Sequence, residues 1–301
     1  MCTREQYTVG WICAITTEYV AAKQMLDTVN DPVPLSHNQR NTYTFGKVGS
    51  HNIVISVLPI GEYGISSAAR VAEEMIHNFP NLRIGLMVGI GGGAPSPKHD
   101  IRLGDIVVST PHNGHGGVFQ YDYGKTMQDQ TFRQTGFLDQ PPTVLRAAVS
   151  ELRAQYMSDG HALDDVVSKI LDKKPRLRRD FARPDSATDL LYKAHVVHPK
   201  DSEEPCNVNC GSDPSLLVTR DPRGEYDDDP AIHYGIIASA NQLMKDALTR
   251  TKMRLGKAWN GAELHPRNSS LVGGNVCNKQ LFSNQSEMLT TIRISNLTSY
   301  A

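Results

Sequence analysis

Apolar positions along this chain fall into short runs of two kinds. Nearly continuous runs lie at 8–15 (TVGWICAI), 52–58 (NIVISVL), 84–90 (IGLMVGI), 106–109 (IVVS) and 233–239 (HYGIIAS). Unbroken apolar runs of that length suit strands buried on both faces of a sheet. Between them the spacing turns helical. Thr16 or Thr17 caps a helix that starts near Glu18 and carries Val20, Ala21, Met25 and Leu26 on one side. The stretch 66–77 places Ala69, Val71, Met75 and Ile76 on one inward face. Pro141-Pro142 opens a helix through about Tyr156, and further helical stretches cover 163–171 and 241–250. The runs 43–48 and 52–58 form a hairpin around Gly49-Ser50. Strands alternating with helices predict an α/β protein.

Two segments break the pattern. Residues 173–232 are rich in Lys, Arg, Asp and Pro with little periodicity, and read as an irregular insertion in a domain that spans 8–250. From Thr251 onward, Ser, Thr, Asn, Gln and Gly dominate, and apolar residues arrive singly. Such a stretch buries too little to offset its ordering entropy, so 251–301 reads as a divergent, disordered tail.

Charge narrows the partners. With 31 basic against 32 acidic residues and a net charge of −1, no polyanion-binding face is expected, and nucleic acid is excluded as a partner. No apolar run approaches the ~18 residues of a membrane helix, so no membrane partner is expected. The opening MCTREQYTVG lacks the apolar stretch of a signal peptide. Five scattered cysteines fit a reducing compartment, and a cytoplasmic location is expected. Cys206-x-x-x-Cys210, with His195 and His198 upstream, has partial zinc character. A single loosely spaced pair reads as ordinary loop thiols, so no metal site is expected.

The densest chemical signal is 83–109, RIGLMVGIGGGAPSPKHDIRLGDIVVS. A strand ends in Gly89, Gly91, Gly92 and Gly93, whose bare backbone lets a ligand approach its N–H groups. Ligands of open α/β sheets sit at strand carboxyl ends, so a small molecule is expected here. Gly89-x-Gly91-x-x-Ala94 formally fits a dinucleotide loop, but that loop must open straight into a helix. Pro95, Pro97 and then a second strand at 106–109 leave no room for one.

Four segments, in order, resemble the nucleoside phosphorylase / nucleosidase superfamily, in its fungal-type purine nucleosidase-like branch. They are Gly10–Glu18 (GWICAITTE), 58–64 (LPIGEYG), 85–93 (GLMVGIGGG) and 232–242 (IHYGIIASANQ); 100–105 (DIRLGD) and 120–124 (QYDYG) reinforce them. The resemblance covers about 8–250. It implies a single α/β domain with a twisted mixed central sheet flanked by helices, and cleavage of a nucleoside's N-glycosidic bond by water or phosphate. It also implies a small-molecule nucleoside partner, a homo-oligomer, and no cofactor, with phosphate as co-substrate in a phosphorylase.

Such cleavage passes through an oxocarbenium-like ribose and needs a carboxylate to activate water, contacts to the sugar and protonation of the departing base. By resemblance Glu18 is that carboxylate; by position it also suits the first turn of a helix, where acids are favoured. Gly61, Gly64, Gly89, Ile90, Gly91 and Gly92 would approach ribose or an anion, with plain turn geometry as the other reading of the glycines. Ser239 and Asn241 would lie beside the purine, Asn241 equally serving as a helix cap. Lys98 and Arg102 are candidates for a phosphate and otherwise solvated loop charges; Tyr121 and Tyr123 are candidates to stack on a base or to pack locally.

The family's late motifs are missing. A Met-Glu pair on one strand and an Arg-x-x-Ser/Cys-Asp motif on another have only a faint echo in Glu287-Met288 and 292–296 (IRISN), and Asn296 cannot act as an acid. The sheet is therefore expected to be incomplete at the C-terminus, and catalysis impaired.

Overall fold

The computed structural model describes residues 2–249, apart from 36–38, 97–98, 113, 129–131, 137, 200–203, 205 and 242–245, together with 271–272 and 290–296. The strands are β1 (Val9–Cys13), β2 (Thr28–Val29), β3 (Tyr43–Val48), β4 (His51–Val57), β5 (Ile84–Ile90), β6 (Ile106–Ser109), β7 (Val118–Gln120), β8 (Gly124–Thr126), β9 (Phe132–Gln134), β10 (Ile232–Ser239), β11 (Leu271–Val272) and β12 (Thr290–Asn296). The helices are α1 (Thr16–Gln24), α2 (Ile65–Asn78), α3 (Thr143–Asp159), α4 (Leu163–Lys173), α5 (Arg178–Phe181) and α6 (Cys206–Asn209). Ten strands make one mixed sheet, in the order β11-β10-β6-β12-β5-β1-β4-β3-β2 with β7 joined to β10. The expected α/β architecture, a mixed central sheet with helices, is what forms.

β1 and β4 show why their sequences do not alternate. Ile12 and Val54 face a cluster with Tyr7, Phe45, Phe79 and, from α2, Val71 and Met75. Val9, Cys13, Ile53 and Ile55 face the opposite cluster with Ala22 of α1. Both faces are apolar because a helix covers each. In the first cluster Tyr7 meets Phe45 edge-on at 5.3 Å and Tyr43 meets Phe79 at 5.2 Å. The Tyr43 hydroxyl accepts from Asn41 and Asn78 at 3.1 and 3.2 Å, and the Tyr7 hydroxyl accepts from Asn30 at 3.1 Å.

Strand direction places the candidate site. β1 runs parallel to β4 and to β5, bringing Cys13, Val57 and Ile90 to one end of the sheet. The direction then reverses: β12 is antiparallel to β5, while β6 and β10 run with β12. β5 corrects the expectation of full burial on both faces, for only Gly85 is buried and the other residues are half-exposed.

Two further findings concern the irregular parts. Of the segment read as a tail, Thr290–Asn296 pairs with β5 and β6 inside the sheet and Leu271–Val272 pairs with β10. This corrects the expectation for those residues: alternating Thr290, Ile292 and Ile294 suit a strand that the polar composition around them conceals. The rest of 251–301, and half of the helical run expected at 241–250, lie outside the described residues, with 247–249 helical. Within 173–232 the structure has short helical turns and extended chain, held to the sheet by a polar core at Asp105. That carboxylate is fully buried and accepts from Arg223 Nη2 at 2.6 and 2.7 Å, His233 Nε2 at 2.9 Å, and the N–H groups of Arg102 and Ala231 at 2.8 and 2.9 Å. Arg223 and Arg183 both grip Asp229, and Arg220 reaches Asp189 at 2.7 Å.

Candidate functional site

Glu18 stands third in α1, which begins just past β1, so its side chain points back over the strand end. Its Oε2 accepts from the Ala14 and Ile15 N–H groups at 2.6 and 3.2 Å. Its Oε1 accepts from the Ile90 N–H at 2.8 Å. The carboxylate therefore ties the helix start to the tip of β5, across 72 residues of sequence. Gly89 is demanded by space: a Cβ there would lie 2.5 Å from Glu18 Oε1. The left-handed glycines are others, Gly61 and Gly64 at φ of +85° and +89°. Past Ile90 the chain leaves the strand, with Gly91 half-buried and Gly92 buried.

Burial pushes the Glu18 carboxyl above its ordinary value, and the N–H groups of Ile90, Ala14 and Ile15 offset this only in part. A carboxylate offers about four lone-pair sites. Three are taken by backbone donors, two on Oε2 and one on Oε1. Among the described residues no donor takes the remaining site, on Oε1 at the strand tip. The neighbouring Cys13 thiol is pushed up to about 12, by burial first and by the Glu18 charge second, so it stays protonated near neutral pH and is no nucleophile there.

A second cluster gathers around α2. Its N-cap is Gly64, which has no side chain to cap with. Asn241 supplies the acceptor instead, its Oδ1 taking the Ile65 N–H at 2.9 Å, and a Cβ on Gly64 would lie 2.8 Å from that oxygen. Asp122 holds Asn241 in place by accepting from its backbone N–H at 2.8 Å and from its Nδ2 at 3.3 Å. Asn241 thus caps α2 from 176 residues away; the cap expected of it on the helix that follows falls on residues outside the described ones. The two clusters join along the chain. Leu58 donates to the Cys13 carbonyl at 3.0 Å, and the turn through Gly61 leads from there to Gly64.

Other candidates are placed differently. The Ser239 carbonyl accepts from Tyr121 N–H at 3.1 Å, and Ser239 stands two residues before Asn241, whose side chain caps α2. Arg102 is committed to Asp100, with Nε and Nη2 at 2.8 and 2.5 Å, and to the Asp221 carbonyl. It is a brace for the loop, which corrects the phosphate reading. Tyr121 packs beside Ala94 and Phe119, whereas Tyr123 is exposed. Lys98 lies outside the described residues. Asn296 pairs with Ile84, at the far end of β5 from Ile90, some 20 Å away at strand rise.

No family model matches this chain. It is 41% identical over 250 residues to a nucleotide-binding leucine-rich repeat (NLR)-like protein of Hyaloscypha variabilis, an overlap of 83% of this chain and 24% of the relative. The chain thus spans about a quarter of that protein's length. Among solved structures, it is similar to the 5'-methylthioadenosine/S-adenosylhomocysteine nucleosidase of Neisseria meningitidis, at 12% identity and a TM-score of 0.44, over 95% of this chain and 84% of the other. It is also similar to the futalosine hydrolase of Helicobacter pylori, at 12% identity and a TM-score of 0.44, over 96% and 83%. Among the described residues no helix is long and apolar enough to cross a membrane.

Proposed function

We propose that this chain binds purine nucleosides at the β5 tip and hydrolyses their N-glycosidic bond, with Glu18 as the water-activating carboxylate. The observation that carries this reading is the open lone-pair site on Glu18 Oε1, on a carboxylate held by three backbone donors. A water donating to that site is fixed in place. Burial raises the carboxyl toward the working pH, which suits a base that must take a proton and give it up again. The glycine backbone past Ile90 and the Gly61–Gly64 turn would approach the ribose. One hydrogen of Asn241 Nδ2, beyond the one given to Asp122, would serve the base. Phosphorolysis is disfavoured by the commitment of Arg102 to Asp100.

The test is release of free base from adenosine, inosine or guanosine, separated by chromatography, with and without phosphate. Wild type should turn over without phosphate, and Glu18→Gln should lose about 10²–10⁴-fold, the share of a general base. A wild type that releases nothing, or a Glu18→Gln variant with unchanged turnover, ends the catalytic reading. Turnover only with added phosphate would reverse the role of Glu18.

A second reading is recognition without turnover, as a nucleoside-binding module of a longer receptor. It is favoured by the likeness to an NLR-like protein of which the matched region is 24%. Stabilisation of the fold by nucleosides without base release would select it. No stabilisation by any nucleoside or base would remove both readings.

A further inference from the structure

We infer that the irregular excursion between α4 and β10 carries a zinc site, made by His198, Cys206 and Cys210. α6 is one turn of helix, and the Cys210 N–H bonds the Cys206 carbonyl at 2.7 Å. A spacing of four along that turn puts both sulfurs on one side. His198 Nδ1 lies 3.6 Å from Cys206 Sγ and 3.3 Å from Cys210 Sγ. All three ligand atoms fall within 4.8 Å of one another.

The distances carry the argument. Tetrahedral zinc, with bonds of about 2.3 Å to sulfur and 2.05 Å to nitrogen, sets those atoms about 3.6 Å apart. The two S···N distances already lie close to that value. Its surroundings exclude water from the sulfurs: Cys206 is 1% exposed and Cys210 9%. The turn is also braced, with Tyr192 Oη 3.1 Å from the Cys206 carbonyl and 2.9 Å from the Gly211 carbonyl. His195, the other imidazole of the sequence pattern, is exposed and outside the cluster. The spacing understated the site because one ligand lies eight residues upstream, across a loop.

Cys206 is disulfide-bonded in this structure. Zinc requires the reduced form. A phosphine reductant supplies the two electrons that open the S–S bond, and each sulfur takes up a proton. Zinc then displaces the proton from Cys206 and Cys210 into solvent, while neutral His198 donates the lone pair of Nδ1. A fourth donor completes the tetrahedron. The ion would clamp 198–210 as the salt bridges at Asp105 clamp the other end of the excursion.

The experiment uses the full chain, purified under a phosphine reductant, stripped with a chelator and titrated with zinc, then with cobalt. Elemental analysis should return about one zinc per chain after desalting. Cobalt should give a thiolate-to-metal charge-transfer band in the near ultraviolet with intense tetrahedral visible bands. Cys210→Ser and His198→Asn should each lose the retained metal, while Cys2→Ser keeps it. Zinc should raise the melting temperature of the reduced wild type and leave that of the oxidised protein unmoved. A reduced wild type that holds no zinc overturns the inference, as does a cobalt spectrum without the thiolate band. So would metal retained by both Cys210→Ser and His198→Asn. The cobalt spectrum reads wild type alone, so a variant that fails to fold does not shield the proposal.

Discussion

Two carboxylates, half-buried Glu18 and fully buried Asp105, are driven in opposite directions. Each accepts backbone N–H bonds. Around Glu18 the donors among the described residues are backbone amides, and burial wins, so its carboxyl is raised. Around Asp105 burial again pushes upward, but the His233 ring and the Arg223 guanidinium outweigh it, and the carboxyl is held below the ordinary range. Neutral dipoles fix a carboxylate's orientation and leave its proton exchangeable; a full countercharge makes it a permanent anion. The first arrangement suits a site and the second a staple.

That contrast is most easily broken at Asp105. Asp105→Ala leaves Arg223 and His233 facing an apolar hole, and should destabilise the chain by about 3–5 kcal/mol in denaturant unfolding. A loss under ~1 kcal/mol would show that the excursion does not depend on this anchor.

Gly89→Ala tests the other carboxylate. Its Cβ would lie 2.5 Å from Glu18 Oε1, so strand tip or helix must shift, at about 1–3 kcal/mol. If Glu18 is the base, base release should fall with it; a variant as stable and as active as wild type would separate Gly89 from the carboxylate. Asn241→Ala should cost about 1 kcal/mol, the value of a helix cap, read as a lowered midpoint with an unchanged slope.

The pH dependence is the finest discriminator. Glu18 has a raised folded value, so its stabilising contribution is complete below its ordinary 4.5 and is lost as pH climbs through the raised one. Asp105 has a lowered folded value, so its contribution is present above its ordinary 3.8 and is lost as pH falls through the lowered one. Asp105→Asn should therefore flatten the acid side of the stability curve. Base release, where it depends on ionised Glu18, should rise with pH through that residue's raised value. A rate that falls with pH over that window would remove Glu18 as base.

Most of the first half of the fold was legible because its signals are local. The apolar runs at β1 and β4 and the inward stripe Val71–Met75 of α2 each report burial through spacing alone, whereas the run at β5 reports the strand but not its half-exposure. Glu18 was visible through the resemblance, its position alone suiting a helix's first turn equally well; its meeting with the tip of β5 is a tertiary finding. The cap from Asn241 to Ile65 was not, because a partner 176 residues away leaves no pattern at either position. β12 was hidden for a different reason: its paired neighbours, β5 and β6, supply the context that its own polar flanks lack.

What the amino-acid order determined alone is therefore the main strands and helices of the first half, the faces that β1, β4 and α2 bury, and the strand end where bare backbone gathers, all consequences of short-range spacing. Only the assembled molecule decided which carboxylate is exchangeable and which is locked. It also turned Arg102 from a ligand candidate into a brace and set one imidazole between two sulfurs. Those outcomes depend on burial and on charges brought from distant segments, and electrostatics in a folded interior is a property of neighbours in space.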